Sequence, residues 1–119
     1  MRAVVSIEGK SYDTLPSLVR GDYGWDIKFT ITYNDDSVAN LTGATVKFKM
    51  KKTDATTLAI DATCTAVTAL TGIFKYTVAS GAFATIGAYE AELEVTTTLP
   101  GVYTIKLGKV QIVEDLVST

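Results

Sequence analysis

The sequence has no histidine, a single cysteine, two prolines and no long apolar run among its 119 residues. Each absence removes a class of function. Without histidine there is no Ser-His-Asp or Cys-His arrangement, and the commonest general base and metal ligand is missing. The lone thiol, Cys64, cannot close an intrachain disulfide and supplies too few ligands for a thiolate zinc site. No apolar stretch approaches the ~18 residues that a membrane-crossing helix needs. The segment Met1-Arg2-Ala3-Val4-Val5-Ser6 is too short in apolar residues for a secretion signal, so a soluble product made in the cytoplasm is expected. A formal net charge of −2 offers no basic field for phosphates or anionic lipid, so no nucleic acid and no membrane insertion is expected.

Hydrophobic residues make up 47% and charged residues 20%, a balance that folds instead of remaining disordered. A chain of this length removes about two thirds of its unfolded surface from water, enough for one core without metal or disulfide staples. There is no internal repeat, low-complexity tract or linker, and residues 1–119 are read as a single domain.

Within that domain the apolar residues recur with period two, the spacing of a half-buried strand. Trp25, Ile27, Phe29, Ile31 and Tyr33 alternate with Asp26, Lys28, Thr30 and Thr32. The turn formers Asn34 to Ser37 interrupt, and Val46, Phe48 and Met50 then alternate with Lys47, Lys49 and Lys51. Leu58 to Val67 gives a third run, Phe74, Tyr76 and Val78 a fourth, and Tyr89, Ala91, Leu93 and Val95 a fifth, opposite Glu90, Glu92 and Glu94. The last run holds Tyr103, Ile105 and Leu107, then Val110 and Ile112, and its inward parity changes at Gly108 as at a β-bulge. One helical turn is placed in the small residues Ala79 to Ile86. With a strand near Val4 to Ile7, the pattern predicts an all-β fold, an immunoglobulin-like antiparallel β-sandwich of about seven strands. An eight-stranded barrel or jelly roll is the alternative architecture.

The polar features are read as structural. Asn34, Asp35 and Asp36 lack the spaced acidic ligands of a calcium loop and predict a solvated turn. Cys64 lies in an apolar alternation and predicts a small core hydrophobe. Gly21-Asp22-Tyr23-Gly24 has no helix behind it to hold a phosphate and predicts a tight turn. The lysine row 47, 49, 51 and the glutamate row 90, 92, 94 either face each other across neighbouring strands, which would fix their register, or are solvated separately. Thr85, Gly87, Tyr89 and Ala91 have the spacing of a tyrosine corner, in which the phenol bonds back to upstream backbone. Trp25, Gly87 and Tyr89 are accordingly structural residues. No catalytic residue, cofactor or metal site is assigned, and the chain is not expected to be an enzyme.

Gly21-Asp22 before the aromatic strand, Leu41-Thr42-Gly43 before Val46, Phe48 and Met50, Gly72 with Phe74 and Tyr76, and the run Ile86 to Glu92 follow a recognisable order. From about Leu18 to Asp115 the sequence resembles the N-terminal immunoglobulin-like module of phage baseplate upper proteins. The resemblance implies a non-enzymatic virion protein that docks on other phage tail and baseplate proteins, as part of a homo-oligomer. Longer members carry helical and C-terminal regions that hold a receptor-binding protein, and that linking role is not expected from these residues. Tyr12, Leu15, Leu18 and Tyr23, in the irregular segment before the first strong strand, are the candidate contact residues, with cover of the core as their other reading. The alternative function is a carbohydrate-binding or adhesin-type immunoglobulin-like module, in which aromatic rings such as Trp25 would lie exposed.

Overall fold

The computed structural model of the chain describes residues 1–98 and 101–114. Its strands are β1 (Arg2–Ile7), β2 (Lys10–Tyr12), β3 (Leu18–Val19), β4 (Asp26–Thr32), β5 (Thr45–Lys52), β6 (Ile60–Thr63), β7 (Thr65–Thr68), β8 (Ile73–Thr77), β9 (Gly87–Thr97) and β10 (Gly101–Val113). They form two five-stranded sheets, ordered β2-β1-β4-β8-β7 and β3-β10-β9-β5-β6. The all-β, two-sheet expectation holds. The structure adds the short strands β2, β3 and β6 or β7 to the expected set, and the pairing of β3 with β10 is parallel, so the sandwich is not wholly antiparallel. Within the sheets, β1-β4-β8-β7 and β10-β9-β5 follow the order of the A-B-E-D and G-F-C strands of an immunoglobulin sandwich.

The alternating residues build the core. Ile27, Phe29 and Ile31 of β4 and Phe74 and Tyr76 of β8 face Val46, Phe48 and Met50 of β5 and Leu93 and Val95 of β9, all buried. Phe48 is the crossing point of the two layers. Its ring centroid lies 5.5 Å from that of Phe29 and 5.1 Å from that of Tyr76, both tilted, the offset geometry that aromatic quadrupoles favour. Among the described residues no polar or charged residue is buried.

Period two fails in three places, each for a physical reason. The run Leu58 to Val67 is two strands in different sheets: Lys47 opposes Thr63 in one, whereas Thr65 opposes Lys75 in the other. The chain crosses at Cys64, whose N–H still donates to the Val46 carbonyl at 2.7 Å. The alternation of residue types runs on through Ala66 and does not reveal the crossing, whereas in the structure burial stops at Cys64 and all four residues of β7 are exposed. Tyr33 and Tyr103 keep inward parity but are exposed: Tyr33 lies past the end of β4, and Tyr103 lies on β10 where that strand is the edge of its sheet, since β3 pairs only with Ile112 and Val113. The segment Ala79 to Ile86 forms turns, not a helical turn, because Phe83 is drawn fully into the core. The 3-10 turn falls instead at Ala69–Thr71. The expected irregularity at Gly108 is present as a register shift between Lys106 and Gly108 in the β9–β10 ladder.

Gly72 ends the 3-10 turn with φ +74, and a Cβ there would lie 2.3 Å from the Ile31 carbonyl oxygen and 3.0 Å from that of Ala39. Its carbonyl also accepts the Ile31 N–H at 2.8 Å, tying the turn to β4. Both obstructing atoms are backbone and cannot swing away. Gly72→Ala should therefore lower the unfolding free energy by at least about 2 kcal/mol, the sum of left-handed strain and steric displacement. Urea unfolding checks this, and an unchanged midpoint would contradict the tight approach.

Candidate docking surface

The outer face of the second sheet is a ladder of alternating charge. Lys47 opposes Glu94, Lys49 opposes Glu92 and Lys51 opposes Glu90, so the two rows read from the sequence do face each other. The pattern extends across the sheet: Asp61 of β6, Lys49, Glu92 and Lys106 of β10 stand in one column, with signs alternating at every strand. Lys49 Nζ reaches Glu94 Oε2 on the diagonal at 3.0 Å, and Lys106 Nζ reaches Glu92 Oε2 at 3.0 Å. The hydrogen bond to Glu94 raises the Lys49 pKa above its ordinary value. A register slip of one residue would place these carboxylates against apolar positions, so the ladder selects the pairing more than it strengthens it. Charges of opposite sign thus stand beside one another across this face.

The end of the sandwich holding the Gly21–Trp25 segment differs. Arg20 N–H donates to Val113 O at 2.9 Å, Gly21 N–H to Phe83 O at 3.0 Å and Gly24 N–H to Val78 O at 2.8 Å. An ion pair between Arg20 and Glu114 closes the base of the loop. The loop is thus pinned to β10, to the Ala79–Ile86 turns and to the end of β8. It presents Tyr23 with 62% of its surface exposed. Ile7, Glu8, Asp22, Tyr23 and Trp25 border a shallow open depression there. Of the four candidate contact residues, Leu15 and Leu18 are buried in the core, Tyr12 is half-buried on β2 opposite Val5, and Tyr23 alone stands out into solvent. Trp25 is half-buried, its ring 6.1 Å from that of Phe83.

The remaining singled-out groups are held by structural bonds. Tyr89 Oη donates to the Thr85 carbonyl at 2.6 Å, the geometry of a tyrosine corner, and burial followed by the nearby Asp54 charge pushes its pKa up. Gly87 lies under the Lys52 side chain. Burial pushes the Cys64 thiol up to about 12, leaving it protonated and inert at neutral pH. Asp35 accepts hydrogen bonds from the Ser37 N–H at 3.0 Å and hydroxyl at 2.6 Å, which hold its carboxyl below the ordinary value and close the turn. Among the described residues no cluster of three or more His, Cys, Asp or Glu side chains is placed to hold a metal ion. No helix among them is long and apolar enough to cross a membrane.

The sequence pattern missed the exposed apolar residues Val38, Val67, Leu70 and Val102. Their only sequence signal is an apolar residue beside a turn, which also describes residues that tuck under loops, such as Leu41 and Phe83.

The profile of the BppU N-terminal domain family, the N-terminal domain of baseplate upper proteins, matches residues 18–119. No curated protein and no solved structure matches the chain.

Two outcomes follow for this surface. Tyr89→Phe should cost about 1 kcal/mol at neutral pH, the net value of one hydrogen bond to a partly buried carbonyl. The Tyr89 pKa is higher in the folded state, so this stabilisation is whole below the unfolded phenol value and fades as pH rises through the folded one. The variant should accordingly lose less stability than the wild type in alkali; parallel pH–stability curves would contradict it. Replacing Lys47, Lys49 and Lys51 with Glu should lower the melting temperature. Adding Lys at 90, 92 and 94 should restore only part of it, because the reversed rows then meet Asp61 on one side and Lys106 and Lys109 on the other. Full restoration, or no initial loss, would contradict the four-strand column.

Proposed function

The chain belongs to the baseplate upper protein N-terminal domain family, and from that membership we propose that it is a non-enzymatic virion protein that docks on other proteins of the phage tail baseplate as part of a symmetric multimer. The match over residues 18–119 is the observation that carries the reading, because it spans both sheets and every strand from β3 onward. Such a role asks for a stiff body and an adhesive patch and needs no reactive group. Support comes from the Gly21–Trp25 end. There an exposed tyrosine sits on a loop whose backbone is already bonded in place, so docking it loses little further conformational freedom. Tyrosine is among the residues that most often dominate an interface when they anchor in a partner's pocket. The self-neutralised ladder on the second sheet leaves that face with no comparable claim on a partner.

Tyr23→Ala tests the reading with baseplates or tails purified from the phage or prophage that encodes the chain. The side chain is mostly in solvent, so the variant should melt with the wild type while its affinity for baseplates falls about tenfold or more. Wild-type affinity in the variant would remove Tyr23 from the contact. Failure of the wild-type protein to bind baseplates at all would overturn the docking reading itself.

A further inference from the structure

The four sheet edges are not alike. β2 carries Lys10, β6 carries Asp61, and β3 is two residues long between Pro16 and Arg20, so each has a guard of the kind that keeps edge strands from pairing with other chains. β7 has none. From Ala62 to Phe74 the sequence holds no charge and no proline, and all four residues of β7 are exposed. β7 lies at the end of its sheet's strand order, paired on one side with β8 alone.

The way β7 pairs with β8 makes this edge complementary to itself. Thr65 opposes Lys75 and Thr68 opposes Ile73, while Ala66 opposes Phe74, with the register shifting between Ala66 and Thr68. Phe74 points into the core, so Lys75 and Ile73 lie on the outer side of the pleat, and the one-residue slip puts both Thr65 and Thr68 on that side too. If a second β7 is laid antiparallel beside the first, about a twofold axis normal to the sheet, Thr65 falls opposite Thr68 on the outer face, and Ala66 falls opposite Val67. Threonine pairs and small apolar pairs are favourable cross-strand neighbours, and no like charges are brought together.

The surroundings of the edge fit the same occupant. Leu70 is 61% exposed, Val38 59% and Tyr33 44%. The bonds Leu41 N–H to Ala69 O and Ile31 N–H to Gly72 O tie the 3-10 turn that follows β7 to the segment that carries Tyr33 and Val38. We propose that β7 is a self-association edge, at which two copies of this chain join the first sheet of each into one ten-stranded sheet. The inference rests on the multimer in the function proposed above and names its contact. A ladder of four residues is short, so the free pair exchanges readily and is favoured where an assembly holds copies side by side.

The test is analytical ultracentrifugation of the whole chain up to about 1 mM, with Val67→Lys and Val67→Asp as variants. Val67 is exposed, so both should melt close to the wild type. The wild type should form dimers, each variant alone should dimerise about tenfold or more weakly, and an equimolar mixture of the two should recover the association, because opposite charges then meet across the axis. A wild type that stays monomeric throughout, dimers that both variants leave intact, or a mixture no better than its components would each overturn the assignment. Baseplate binding of the same variants separates the two readings. A monomer that binds baseplates overturns the β7 edge and leaves docking standing, whereas a β7-dependent dimer that does not bind them does the reverse.

Discussion

Every other feature of this protein depends on the dry contact between the inner faces of its two sheets. Phe48 meets Phe29 and Tyr76 from the opposite layer, and around them Ile27, Ile31, Val46, Met50, Leu93 and Val95 are fully or almost fully removed from water. At about 25 cal/mol per Å² of apolar surface, burial on this scale is the term that offsets chain entropy in a domain with no disulfide. Excluding polar groups from that layer fixes the rest. The lysines and glutamates that alternate with the core residues have only the outer faces to occupy. On the second sheet their signs then alternate from strand to strand, and the one register that buries the apolar set is also the one that pairs the charges.

Much of this was legible in the sequence because period two is imposed by the pleat. Ile27, Phe29, Ile31, Val46, Phe48, Met50, Leu93 and Val95 all face where their alternation places them. The opposition of the lysine and glutamate rows was legible as one of two outcomes, since it needed the neighbour relation of β5 and β9, which local pattern does not contain. The crossing between sheets at Cys64 was not legible, because alternation records the side of the chain and not the layer it faces. Nor was the exposure of Tyr33 and Tyr103, since parity does not say where a strand ends or which strand forms the sheet edge.

The candidate site was legible only in outline. Tyr12, Leu15, Leu18 and Tyr23 share an irregular segment, and irregular segments hold both core cover and contact residues. The structure divides them by burial: Leu15 and Leu18 seal the core below the pinned loop, and that same loop lifts Tyr23 into solvent. The exposure of Tyr23 is thus tied to the packing, since the bonds that hold the loop against β8 and β10 also hold the tyrosine out. The chain has no histidine, its one thiol is protonated, and Asp35, Glu92 and Glu94 are held in a turn and in the charge ladder.

The most direct measurement of that claim is a cryo-electron microscopy reconstruction of intact tails from the phage or prophage that encodes the chain. The account predicts copies of this two-sheet sandwich at the baseplate, with the Gly21–Trp25 loop against a neighbouring tail protein. Tails whose baseplate is fully accounted for by other chains, or copies seated there with that loop turned to solvent, would contradict it.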